Sequence, residues 1–206
     1  MTTKHPHPFA LFAFHILESR LNGISPTQSL ASFLTHSSTS TTSIGSSPLF
    51  VTWNILSKSG EKHLRGCIGT FSPLPLEQGI AEYSLIAALQ DTRFGPITKR
   101  ELSSLSCSIT VLENFEDAKD ALDWELGKHG VRVKIIKSGR SYGATFLPDV
   151  AVEQGWDKEE TIEHCVRKGG FRGGYDLSEV KVIRYEGNKV GATYQEYVDV
   201  MKELDG

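Results

Sequence analysis

The sequence predicts an α+β fold, with a largely antiparallel sheet flanked by helices. Three observations predict it. Segments with period-two alternation come singly or as hairpins, without the regular strand–helix succession of a doubly wound fold. Ser138-Gly139, between "VRVKII" and "SYGATFL", is a two-residue hairpin signal. Segments with helical spacing lie between the strands and not in a block of their own.

The elements follow in order. Phe9, Phe12, Ala13, Ile16 and Leu17 recur at helical spacing, so 8–21 reads as an amphipathic helix closed by Asn22-Gly23. From Thr35 to Ser47, ten of thirteen residues are Ser or Thr. Such a stretch buries too little to offset its ordering entropy and reads as a flexible loop over 35–47. In 49–56, Val51, Trp53 and Ile55 share one strand face, and "HLRGCIGTF", 63–71, returns as the partner strand. Leu76, Ile80, Tyr83 and Ala87 form the stripe of a helix over 76–91, broken at "DTRFGP". Thr98 and Glu101 make a capping box for a short turn. A strand follows over 105–112, then a helical or turn-rich segment over 114–126. Pro148 opens a short helix, and Asp157 with Glu160 caps another that ends at Gly169-Gly170. A last strand over 180–185 precedes a final helix capped by Thr193 with Glu196.

Composition narrows the function. The chain has 206 residues, 39% of them hydrophobic and 23% charged, which suits one soluble globular domain. A net charge of −3 and the lack of a basic stripe argue against a nucleic-acid binder. Cys67, Cys107 and Cys165 are odd in number and widely spaced, so neither a disulfide framework nor a zinc site is expected. They suit a reducing compartment, cytoplasmic or nuclear. The apolar run 9–17 is too short to span a bilayer and lacks a cleavage site, so no membrane association is expected. No phosphate loop and no HxxxH or HExxH pattern occurs, so neither metal nor cofactor is expected.

The candidate site is the odd strand. Alternation puts His63, Arg65, Cys67 and Gly69 on one face, and Leu64, Gly66, Ile68 and Thr70 on the other. Residues two apart lie roughly 6.5–7 Å apart, so His63 and Cys67 do not touch. Arg65 is expected to set a cation beside the thiol, the setting in which cysteines become reactive. Glycines in a strand mark a bulge or the close approach of a ligand or backbone. "DTRFGP" adds Asp91 and Arg93, which read as a surface pair at a helix corner. "RKGGFRGGY" reads as a helix C-cap followed by a flexible connection. Two classes of function stay open. One is an enzyme or enzyme component with Cys67 as nucleophile or thiol ligand and Arg65 holding an anionic group. The other is a non-catalytic adaptor or a ligand- or peptide-binding module.

"LFVTW", "LRGCIGTF", "ALQDTRFGPIT", "FEDAKDALDWELGKHGVRV", "ATFLPDVAVEQGWDKEETI" and "RKGGF", in that order, resemble the AMMECR domain family, named for a chromosomal region linked to Alport syndrome with elliptocytosis. The resemblance runs from about Phe9 to Met201 and implies one domain over 8–201 with a sheet-containing lobe and a smaller helical lobe. It implies a site on Arg65, Gly66, Cys67, Gly69 and Thr70. A second motif falls on Asp91, Arg93 and Phe94, and a third on Glu153, Gly155 and Trp156. The family's association with Memo-type and radical S-adenosylmethionine proteins implies a protein or small-molecule partner, a Memo-type protein among the candidates. Gly95, where the family often has proline, and the Ser/Thr run depart from its pattern.

Overall fold

The computed structural model describes residues 6–37 and 45–205. Its elements are α1 (Pro8–Asn22), α2 (Leu30–His36), β1 (Ser46–Leu56), β2 (Lys62–Pro75), α3 (Leu76–Leu89), β3 (Leu105–Asp117), β4 (His129–Lys137), β5 (Arg140–Phe146), α4 (Pro148–Gln154), α5 (Lys158–Lys168), β6 (Lys181–Thr193) and α6 (Tyr194–Asp205). The six strands hydrogen-bond in the order β2-β1-β3-β6-β4-β5, and β1–β2, β1–β3, β4–β5 and β4–β6 pair antiparallel. The fold is α+β, as the alternation indicated. The described residues fall into two compact units, one within Met1–Val111 and Asn188–Gly206, the other Leu112–Gly187.

In the first unit, α1 is the central element. It was expected to be amphipathic, yet Ala10, Leu11, Phe12, Ala13, Phe14, Ile16 and Leu17 are all buried. Helices α2, α3 and α6 pack around it, and a helix covered on several sides needs apolar residues all round. Phe14 sits edge-on to Trp53 at 5.0 Å and stacks on Tyr197 at 5.8 Å. The Trp53 indole N–H donates to the Ser84 carbonyl, so this large side chain is buried without an unmet donor. Buried His15 accepts the Thr27 and Gln28 amides at Nε2, fixing the loop before α2. Helix α2 was not foreseen: its seven residues are capped by Ser29, and Thr35 and His36 belong to it. Of the expected 35–47 loop, residues 38–44 lie outside the described residues, and Ser46 and Ser47 open β1.

In the second unit, α4 and α5 pack beside β4 and β5 over a core that includes Trp124, Val133, Ile135, Ile162 and Val166. The hairpin turn is as expected: Ser138 (φ 51) and Gly139 (φ 76) both take the left-handed conformation that a two-residue turn requires. Asp157 and Glu160 cap α5 reciprocally. Two expectations are corrected. No helix forms over 114–126; β3 continues to Asp117 and turns follow. Glu116 and Asp117 are strand residues. Arg184 pairs with Glu116, and Asn114 donates to Glu186. Likewise β6 runs past the expected end at Tyr185 to Thr193. The segment after α5 is packed: Phe171 lies against Tyr142 and Tyr175, and a Cβ at Gly169 would stand 2.9 Å from the Gly143 backbone nitrogen.

Candidate functional site

Strand β2 is the outer strand of the sheet order, so one row of its backbone groups faces away from β1. The register explains the odd composition of "HLRGCIGTF". Trp53 pairs with Gly66 and Asn54 with Leu64, so Arg65 is an extra, bulged residue. The bulge shifts the alternation. Cys67 shares a face with Leu64 through their partners Thr52 and Asn54, while His63 falls on the face of Gly66 and Ile68. The expected common face of His63, Arg65 and Cys67 does not form.

Each residue then has a definite place. A Cβ on Gly66 would stand 2.1 Å from the Ala87 carbonyl oxygen, so glycine lets the end of α3 lie against the strand. The Cys67 amide donates to Asp91 Oδ2 at 2.9 Å, and its carbonyl accepts from Arg93 Nη2 at 3.1 Å. Both backbone groups therefore point away from β1, which makes Cys67–Thr52 the non-hydrogen-bonded kind of pair, where side chains come closest. Accordingly Cys67 Sγ lies 3.2 Å from Thr52 Oγ1. At Gly69 a Cβ would collide with the Phe50 ring and the Leu49 carbonyl. The Thr70 hydroxyl accepts the Ser72 amide, and Thr70 pairs with Leu49, on the opposite face from Cys67.

Arg65 does not stand as the thiol's cation. Its guanidinium donates to both Glu101 carboxylate oxygens and to the Gly95 and Pro96 carbonyls. Glu101 also accepts the Thr98 amide and hydroxyl, so Arg65 fastens the 95–101 segment and its capping box to β2. The cation beside Cys67 is Arg93. Asp91 and Arg93 were read as a surface pair, yet Asp91 is only 5% exposed. Asp91 Oδ1 accepts the Arg93 amide and Nε, and Oδ2 accepts Nη2 at 2.7 Å. The Arg93 side chain stays 55% exposed. Its Nη1 makes no hydrogen bond among the described residues.

Electrostatics match this geometry. The Arg93 hydrogen bond, opposed by burial and aided by the Cys67 amide, holds the Asp91 carboxyl far below the usual carboxylate range. Asp91 in turn raises the Arg93 pKa. Burial disfavours an ionised Glu101, but Arg65 and Thr98 outweigh it and lower its pKa. Among the cysteines, Cys107 and Cys165 are buried, while Cys67 is half-buried. Burial pushes the Cys107 thiol well up and the Cys165 thiol to about 12. Glu153, Gly155 and Trp156 lie in the second unit. There Gly155 ends α4 in the left-handed conformation, and Trp156 stacks on His164 at 4.0 Å. Thr52 and Ala87 were not picked out in the sequence; only the pairing of β1 with β2 and the docking of α3 reveal them. Among the described residues, no group of three His, Cys, Asp or Glu side chains is placed to hold a metal ion. None of the described helices is long and apolar enough to cross a membrane.

An α+β protein whose outer strand is sewn to a helix-to-loop corner through "LRGCIGT" and "DTRFGP" is the class that these features define. The family model for AMMECR1 matches residues 11–190, and the chain belongs to that family. It is 41% identical to an uncharacterized protein of Saccharomyces cerevisiae, YOR289W, over 98% of this chain and 92% of the yeast protein. An uncharacterized Arabidopsis thaliana protein, At2g38710, is 41% identical over 77% of each chain. The crystal structure of the uncharacterized protein PH0010 from Pyrococcus horikoshii superposes with a TM-score of 0.64 over 90% of this chain and 89% of that one, at 24% identity, and so shares the fold.

Proposed function

We propose that the protein is a binding module whose contact point is Cys67 of β2 with Arg93 of the loop after α3, taking a partner or ligand through a carboxylate or phosphate group. One observation carries this reading. Arg93 is fixed through Nε and Nη2 on Asp91 and Cys67, so its outer edge is presented in one orientation at little further entropic cost. An arginine held this way suits planar oxyanions. Thiol chemistry is the second reading, favoured by the partial exposure of Cys67, where Cys107 and Cys165 are buried. It lacks an activating base, since among the described residues the partner of Sγ is the Thr52 hydroxyl. A Memo-type protein remains a candidate partner on the strength of the family resemblance.

Alkylation of the native protein tests the binding reading, because iodoacetate carries its own carboxylate to the thiol. Iodoacetate should react with Cys67 faster, relative to neutral iodoacetamide, than it does with a free thiol. The preference should vanish in Arg93→Gln. An identical reagent ratio in wild type and Arg93→Gln would sink the proposal. Inert Cys107 and Cys165 in both proteins would confirm that each is folded.

A further inference from the structure

The sheet face that carries Cys67 continues into a second polar feature. Thr52 pairs with Ser108 and Asn54 with Ser106, so both serines of β3 share the face of Cys67. Ser106 is 2% exposed, and its hydroxyl is buried without a hydrogen-bond partner among the described residues. Native proteins rarely leave such a group unmet. Ser106 lines a cavity of about 510 Å³ together with Lys62, Ser108, Lys189, Thr193 and Glu196. That volume falls in the range of small-ligand sites, roughly 300–1,000 Å³. The chemistry of the lining is selective. Glu196 Oε2 accepts the Thr193 amide and hydroxyl as the cap of α6. Lys62 makes no ion pair among the described residues, and the Ser108 hydroxyl no hydrogen bond.

We propose that this cavity binds a small molecule bearing a carboxylate or phosphate, with the oxyanion on the Lys62 ammonium and the Ser106 and Ser108 hydroxyls donating to it. The assignment stands apart from the Arg93 contact and does not depend on it. Titration calorimetry of the full chain with inorganic phosphate and with succinate, at constant ionic strength, tests it. Saturable binding of at least one probe is expected. It should weaken about tenfold in Ser106→Ala and in Lys62→Gln, the loss of one hydrogen bond or charge contact to an anion. The same loss on Ser106→Ala is expected in an Arg93→Gln background, where the contact proposed for Arg93 is absent. Ser106→Ala removes a hydroxyl that bonds to none of the described residues, so the fold survives it, which a thermal melt verifies. No saturable binding of either probe overturns the proposal. So does binding that is indifferent to Ser106→Ala. Binding lost in Arg93→Gln but retained in Ser106→Ala would instead assign the anion to Arg93.

Discussion

Asp91 and Cys67 are joined by a hydrogen bond from the Cys67 amide to Asp91 Oδ2 at 2.9 Å, and Arg93 holds the same residue from its carbonyl side. A side-chain pair thus does for one residue of an outer strand what a neighbouring strand would do. The arrangement blunts the edge against pairing with another chain, and it fixes the guanidinium on the Cys67 carbonyl.

Asp91→Asn keeps the shape but removes the charge. At neutral pH the variant should be less stable by about 1–3 kcal/mol, as for a hydrogen bond to a buried charged group. The Asp91 pKa is depressed in the folded state, so its contribution is complete above the unfolded value, about 3.9, and fades as pH falls below it. Urea denaturation at pH 7 and pH 3 should show the gap between the two proteins narrowing in acid. An equal gap at both pH values would contradict the depressed carboxylate.

Gly66→Ala sets a methyl group 2.1 Å from the Ala87 carbonyl oxygen, a contact with backbone on both sides. The end of α3 must move, at a cost of about 2 kcal/mol or more. Gly95→Ala meets nothing within 4 Å and should stay within about 0.5 kcal/mol of wild type. Thermal melts of the two variants side by side check the contrast.

Arg65 and Arg93 should separate cleanly. Arg65→Ala unfastens Gly95, Pro96 and Glu101 and should cost about 1–3 kcal/mol, since it leaves Glu101 partly buried without its cation. It should leave the iodoacetate preference at Cys67 intact. If Arg65→Ala erases that preference while Arg93→Gln keeps it, the roles given to the two arginines are reversed.

Cysteine modification should report burial directly. In the native protein Cys67 should label first. Cys107 and Cys165 should label at least about a hundredfold more slowly, because they react only through opening of the structure. Peptide mass spectrometry resolves the three sites, and comparable rates would contradict the described core.

Much of the fold was legible in the sequence because its signals are local. The hairpin at Ser138-Gly139, the capping boxes at Thr98, Asp157 and Thr193, and the C-cap of α1 at Gly23 each depend on residues within a few positions of one another. Period two in β1 and β3 likewise follows from the backbone alone. The helical spacing of α1 was legible, but its burial was not, since that depends on α2, α3 and α6 closing around it.

At the candidate site, the sequence by itself singled out the segments: "HLRGCIGTF" and "DTRFGP" stood out by composition. Only the tertiary structure decided what they do. One bulged residue reversed the alternation between His63 and Cys67, an event that no period-two pattern contains. Packing of α3 filled the space beside Gly66, sent Arg65 to Glu101, and brought Asp91 and Arg93 to the Cys67 backbone. Side-chain partners twenty or more residues apart are chosen by which surfaces come together, and the sequence names the groups without fixing their distances.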